Sequence, residues 1–190
     1  MRQALVTVIV GARRTGKTTF INENIVKKNE KKGVRNLIIV NDFQEWTDYP
    51  LIECKKNEIL NFKGTARIFF TKKTFTHVMK YFFNGSLIMD DCLSYIGRTV
   101  FGDELRTLII RSAQHCIDLF FVGHGLRAVP VEIFTYWSYC VMFYFSENIM
   151  HRQRDLDEEV FVKLVNAYNE IKKERAVNQY ARRTIKIYDI

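Results

Sequence analysis

The stretch "VIVGARRTGKTTF", residues 8–20, decides how the rest of the chain is read. An apolar, β-branched run stops at a loop bounded by Gly11 and Gly16, and Lys17-Thr18 opens a segment of helical character. Strand, glycine-bounded loop and helix in that order, with the letters G-x-x-x-x-G-K-T, make the P-loop pattern. The glycines allow backbone angles that side chains forbid, so that successive N–H groups can turn inward around a phosphate at a helix N-terminus. The pattern thus sets Gly11, Ala12, Arg13, Arg14, Thr15, Gly16, Lys17, Thr18 and Thr19 around a nucleotide. Lys17 reaches the β- and γ-phosphates as a mobile positive charge, and the Thr18 hydroxyl takes one position on a magnesium ion. The Arg13 and Arg14 side chains are expected to face solvent. ATP and Mg2+ are the expected ligands.

The chain has 190 residues, 47% of them hydrophobic and 14% aromatic, which suits one compact domain with a buried core over 1–190. Two prolines and nine glycines are scattered along it, and no linker, repeat or low-complexity tract stands out. A net charge of +8 favours a polyanionic partner, with a surface kept basic for solubility as the plainer explanation. The densest basic run, "KKNEKKGVR" (27–35), reads as a solvated helix end. Cys54, Cys92, Cys116 and Cys140 form no C-x-x-C pair, which argues against zinc ribbons and redox dithiols. "ALVTVIV" (4–10) runs straight into the P-loop and reads as a first strand rather than a signal sequence, and "IFTYWSYCVMFYF" (133–145) is too short to span a bilayer. The expectation is a soluble protein of a reducing compartment, the cytoplasm.

Short apolar runs recur at 4–10, "NLIIVN" (36–41), "ARIFF" (66–70), "SLIMD" (86–90), "IDLFFVG" (117–123) and "YCVMFYF" (139–145). Runs apolar throughout are typical of parallel strands covered on both faces. Helical spacing occupies 18–32, 74–83 and 103–115, the last with Leu105, Leu108, Ile109 and Ser112 on one face, and a longer helix is expected over 157–179. "RTIKIYDI" (183–190) alternates as an edge strand does, so that residues 151–190 supply a helix and edge strand packed on the domain. The expected fold class is α/β, a P-loop NTPase with a doubly wound, mainly parallel sheet flanked by helices, and with ligands at the strand C-termini.

"SLIMDD" ends a buried run in Asp90-Asp91, the form of a Walker B element. Asp90 would hold the magnesium shell and Asp91 would orient and polarise the attacking water. Should Asp91 not serve, Glu45 and Asp42 are the next carboxylates to consider. His124, at the end of the 117–123 run, falls where it can sense the γ-phosphate through a hydrogen bond. Arg98, Arg106, Arg111 and Arg127 follow the acidic pair, and Arg111 is the first choice for an arginine finger completing a neighbour's site.

Taken together, "GARRTGKT", "NDFQEW" (41–46), "LIMDD" and "IIRSAQHCIDLFFVGHGLRAVP" (109–130) resemble the FtsK/HerA superfamily of DNA-pumping ATPases, and the small viral packaging ATPases in particular. The likeness covers roughly residues 6–145. It implies a RecA/ASCE-like fold and a homo-oligomeric ring that translocates double-stranded DNA by ATP turnover, with a viral capsid vertex protein as a further partner. The ring is hexameric by the superfamily's pattern. It is pentameric by that of the terminase-like phage packaging ATPases, which share a "GAR" type P-loop. His124 stands where the superfamily usually has glutamine, and Asp91 where it usually has glutamate. DNA would have to touch Arg98, Arg127 or the Arg182-Arg183 pair, since no separate DNA-binding segment is evident. Two other classes use the same P-loop: a nucleotide or nucleoside kinase, with "HRQRD" (151–155) as its lid, and a non-enzymatic nucleotide-gated assembly protein.

Overall fold

The computed structural model of the chain describes residues 4–71, 73–91 and 102–188, with 102 and 103 described as backbone only. In chain order the elements are β1 (Val6–Val10), α1 (Lys17–Ile21), α2 (Lys27–Lys31), β2 (Arg35–Val40), β3 (Leu51–Ile52), α3 (Lys56–Asn61), β4 (Thr65–Phe69), α4 (Thr74–Tyr81), β5 (Gly85–Met89), α5 (Gly102–Gln114), β6 (Ile117–Gly123), β7 (Tyr139–Phe143), α6 (Glu158–Glu174) and β8 (Arg182–Lys186). The strands form one eight-stranded sheet in the order β3-β4-β2-β5-β6-β1-β7-β8. Every pairing is parallel except that of β7 with β8.

The apolar runs are continuous because successive side chains enter different cores. Val8 and Val10 of β1, Leu37 and Ile39 of β2, and Leu87 and Met89 of β5 join the larger cluster, with Val78 of α4, Leu108 of α5 and Leu164 of α6. The alternate residues Ile9, Ile38 and Ile88 pack on the opposite face, under Ile21 and Val26. A strand that is buried on both sides has no polar face to show, which is the physical content of the runs read above. The stripe expected on α5 is also buried: Leu105, Leu108, Ile109 and Ser112 are each no more than 4% exposed.

Several boundaries differ from expectation for local reasons. The helix after the P-loop carries a π-turn over Asn22–Val26, where the Asn24 side-chain amide donates to the Phe20 carbonyl at 3.2 Å and competes with the regular ladder. α6 begins at a cap in which the Asp157 carboxylate accepts from the Glu159 N–H at 2.9 Å. It stops at Glu174 instead of continuing to 179, because Asn178 turns the chain: its side chain donates to Glu174 Oε1 at 3.2 Å and accepts from the Tyr180 N–H at 3.0 Å. β3 and α3 have no counterpart in the sequence reading. Two residues are too few to show alternation, and the six of α3 bury only Ile59. Among the described residues no helix is long and apolar enough to cross a membrane.

Candidate active site

β1 ends beside β6, with Val10 level with Gly123, and the chain then leaves the sheet as a loop stitched to both neighbouring strands. Gly11 N–H donates to the Gly123 carbonyl at 3.2 Å, and Ala12 N–H donates to the Tyr144 carbonyl at 2.7 Å. Gly11 has to be glycine for space, since a Cβ there would lie 2.5 Å from the Phe143 Cβ and 2.8 Å from Thr15 Oγ1. Gly16 has to be glycine for conformation, at φ 91° just before α1. Within the loop the Thr15 hydroxyl donates to the Ala12 carbonyl at 2.8 Å.

Lys17 is buried, and its ammonium donates to the Gly11 carbonyl at 2.5 Å and the Ala12 carbonyl at 2.9 Å. Burial lowers its pKa from the ordinary lysine value, and the nearby Asp90 and Asp91 oppose that shift. The Arg13, Arg14, Thr18 and Thr19 side chains are exposed around the loop, the two arginines facing solvent as expected.

The acidic side is reached across β6. The sheet order puts β5 two strands from β1, about 10 Å at the usual strand spacing. Asp90, directly after β5, has its carboxylate tied by the Trp46 indole N–H at 2.9 Å and by the Asp91 backbone N–H at 3.1 Å. Burial pushes the Asp90 carboxyl above the ordinary range, with Trp46 and Lys17 pulling the other way. Asp91 leaves the strand in a left-handed conformation at φ 51°, and its carboxylate lies 3.7 Å from Nε2 of His124 at the end of β6. The sensor candidate and the second acidic residue thus face one another, although they are 33 residues apart in the chain.

Trp46 belongs to a loop after β2, the strand on the other side of β5, and Arg67 of β4 holds that loop in place. The Arg67 guanidinium donates to the carbonyls of Phe43 (2.5 Å), Glu45 (2.8 Å) and Tyr49 (3.1 Å), and the Phe43 ring stacks on Phe69 at 4.2 Å. Glu45 is half-buried in this loop, and its carboxyl is raised first by burial and then by the charges of Asp90, Asp42 and Asp91. The fragment "NDFQEW" therefore contributes twice to the site, through Trp46 and Glu45. No local pattern gives the tryptophan that position, since its partner is on another strand.

The arginines divide. Arg111 is exposed in the last turn of α5, which feeds the start of β6, so it lies at the opposite end of the sheet from the P-loop, about one strand length or 17 Å away. Arg106 is exposed on the same helix. Arg127 is exposed beside His124, where its backbone N–H donates to Glu147 Oε1 at 2.9 Å. Arg183 is engaged by Glu170 and Glu174 of α6, each at 2.8 Å, and Arg182 lies over the Phe20 ring at 5.1 Å. Arg98 is outside the described residues. Arg152 of "HRQRD" is tied down, donating to the carbonyls of Leu126, Arg127 and Val129 and pairing with Asp155 at 2.7 Å.

Thr18 and Asp90 offer a hydroxyl and a carboxylate, the hard oxygen donors that magnesium takes. Among the described residues no group of three or more His, Cys, Asp or Glu gathers to hold a metal, so an ion here would need phosphate oxygens and water to complete its shell.

No protein-family model matches the chain, and no curated protein matches it in sequence. Solved structures do. B204, the DNA-packaging ATPase from Sulfolobus Turreted Icosahedral Virus, is similar with a TM-score of 0.75 at 14% identity, over 98% of this chain and 94% of its own. The genome packaging NTPase B204 from Sulfolobus turreted icosahedral virus 2, in complex with ATP-gammaS, is similar with a TM-score of 0.73 at 14% identity, over 98% and 94% of the two chains. The same NTPase in complex with AMPPCP gives 0.72 at 12% identity, over 97% and 93%. The fold, an eight-stranded and mainly parallel sheet flanked by helices, is that of P-loop NTPases.

Proposed function

We propose that the chain is an ATP-hydrolysing motor that translocates double-stranded DNA, acting as a ring of identical copies in viral genome packaging. One observation carries the reading: a P-loop, a polar residue and an acidic pair stand at one edge of the sheet, on β1, β6 and β5 in that spatial order. The likeness in fold to packaging NTPases, one of them in complex with ATP-gammaS, supports it.

Backbone N–H groups of residues 13–16 cradle the phosphates, those of Gly11 and Ala12 being used to fasten the loop to the sheet, and Lys17 exchanges its two loop carbonyls for phosphate oxygens. Magnesium, held by Thr18 and Asp90, would neutralise charge on the β- and γ-phosphates. Asp91 polarises the attacking water and His124 reports the γ-phosphate. Arg111 can serve only a neighbouring copy, since it lies at the far end of its own sheet. The kinase reading has less support, because Arg152 of its expected lid braces the loop at 126–129, although Arg154 of the same segment is exposed.

Asp91→Asn is expected to bind ATP as the parent does and to hydrolyse it at least about 100-fold more slowly, in line with losing a general base. ATP titration and steady-state turnover check this. Glu45→Gln is the companion measurement. Normal turnover in Asp91→Asn together with a lost rate in Glu45→Gln moves the role to Glu45, whose carboxyl is influenced by the charges of both Asp90 and Asp91.

A packaging motor must pass every sequence, so its grip should fall on phosphates and weaken steeply with salt. Arg127 is exposed and lines a pocket with His124 and Ala12, whereas Arg183 would first have to leave two carboxylates. Arg127→Ala is expected to lower the slope of log affinity against log salt by about 0.9 for the lost phosphate contact. Salt titrations with two unrelated duplexes test it. A strong preference for one duplex, or no salt dependence, would contradict the DNA assignment.

A further inference from the structure

We propose that Tyr180 is the stacking platform for the nucleobase of the bound nucleoside triphosphate, so that the C-terminal segment completes the nucleotide site. The inference rests on the reading of the P-loop as that site and adds to it the part of the ligand that phosphate chemistry cannot recognise.

A cavity of about 300 Å³ opens at the start of α1, and its walls are Arg14, Gly16, Lys17, Thr18, Thr19 and Tyr180. Five of these six belong to the P-loop and the first helical turn. The sixth comes from the other end of the chain, and the topology explains how it arrives. β8 runs antiparallel to β7, with Arg182 level with Phe143, and β7 runs parallel to β1, with Met142 level with Val10. The residues just before β8 therefore come back over the same sheet edge from which the P-loop emerges. The Tyr180 ring lies so close to Gly16 that a Cβ on that glycine would be 3.1 Å from Cδ1.

The segment is held firmly. Ala181 is buried, the Ala181 N–H donates to the Asn178 carbonyl at 3.0 Å, and the Tyr180 N–H donates to Asn178 Oδ1 at 3.0 Å. One turn of α6 anchors the strand that follows through the pairing of Arg183 with Glu170 and Glu174. On the other side of Tyr180, Arg182 covers the Phe20 ring. Tyr180 itself is 51% exposed, an aromatic face left open beside a pocket whose other walls are polar or basic.

An aromatic ring next to a phosphate cradle, held in place and open on one side, is the chemistry that recognises a base by its π-face. Every base has such a face, so the contact adds affinity with little choice between adenine and guanine. Purines, with the larger stacked area, are favoured over pyrimidines.

The test compares ATP with inorganic tripolyphosphate, which carries the phosphates without a base. Dissociation constants are measured calorimetrically for the parent, Tyr180→Phe and Tyr180→Ala. The parent is expected to bind ATP more tightly than tripolyphosphate. Tyr180→Ala is expected to raise the ATP constant about 10-fold, within the range for loss of one base–aromatic stack, with Tyr180→Phe near the parent. The tripolyphosphate constant is expected to be the same in all three. An unchanged ATP constant in Tyr180→Ala, or equal weakening of both ligands, overturns the platform. A parent that binds ATP no better than tripolyphosphate also overturns it while leaving the P-loop reading intact. A parent that binds neither ligand overturns both.

Discussion

Lys17→Ala is expected to slow ATP hydrolysis by a factor on the order of 10²–10³, the range for losing one preorganised electrostatic donor, and to weaken ATP binding as well. The buried ammonium is held over the loop by its hydrogen bonds to the Gly11 and Ala12 carbonyls, contacts that phosphate oxygens would replace in the proposed site. Burial lowers its pKa, and the nearby Asp90 and Asp91 oppose that shift. A triphosphate adds negative charge at the same place and fixes the protonated form. Alanine removes the charge while leaving Gly11 and Gly16, whose backbone geometry shapes the cradle. Residual binding through N–H groups should therefore survive when turnover does not. Steady-state turnover and an ATP titration check the two effects separately, and unchanged turnover would remove Lys17 from the reaction.

Phe143→Ala is expected to cost about 3–5 kcal/mol of stability, the usual range for emptying a buried aromatic site. Phe143 is 1% exposed at the end of β7. It packs edge-on to Phe20 of α1 with centroids 5.9 Å apart, and its Cβ lies where a side chain on Gly11 would have to go. The ring thus fills the space beneath both the P-loop and the helix that follows. For a domain of this size the loss corresponds to a fall in Tm of about 6–20 °C, with weaker ATP binding in whatever remains folded. Calorimetry provides the measurement. A fall of less than about 2 °C would mean that the loop stands without this support.

How much of this was legible in the sequence depends on the distance over which each feature is decided. The P-loop could be read directly, because its geometry is set by residues within one short segment. The central strands could be read because both their faces are covered, so that apolar residues such as Ile38 and Ile39 of β2 are both buried although they point into different cores. Asp90 was found from the strand before it. Its hydrogen bond from Trp46 was not, since the two residues belong to different strands and only the β2–β5 pairing brings them together. The same holds for Tyr180, whose place beside Gly16 follows from β8 pairing with β7 and from nothing in its local sequence. The π-turn at Asn22–Val26 escaped because one side-chain amide, that of Asn24, redirects a ladder that the apolar spacing alone would continue.

The most direct test of the motor reading is ATP turnover with and without double-stranded DNA, with the particle mass followed by light scattering on the same sample. The account predicts turnover that is lost in Lys17→Ala, that rises when duplex DNA of any sequence is added, and that belongs to a species several times the mass of the 22.5 kDa chain. Turnover indifferent to DNA in a species of single-chain mass, or turnover that appears only when a nucleoside is supplied as phosphate acceptor, would contradict it.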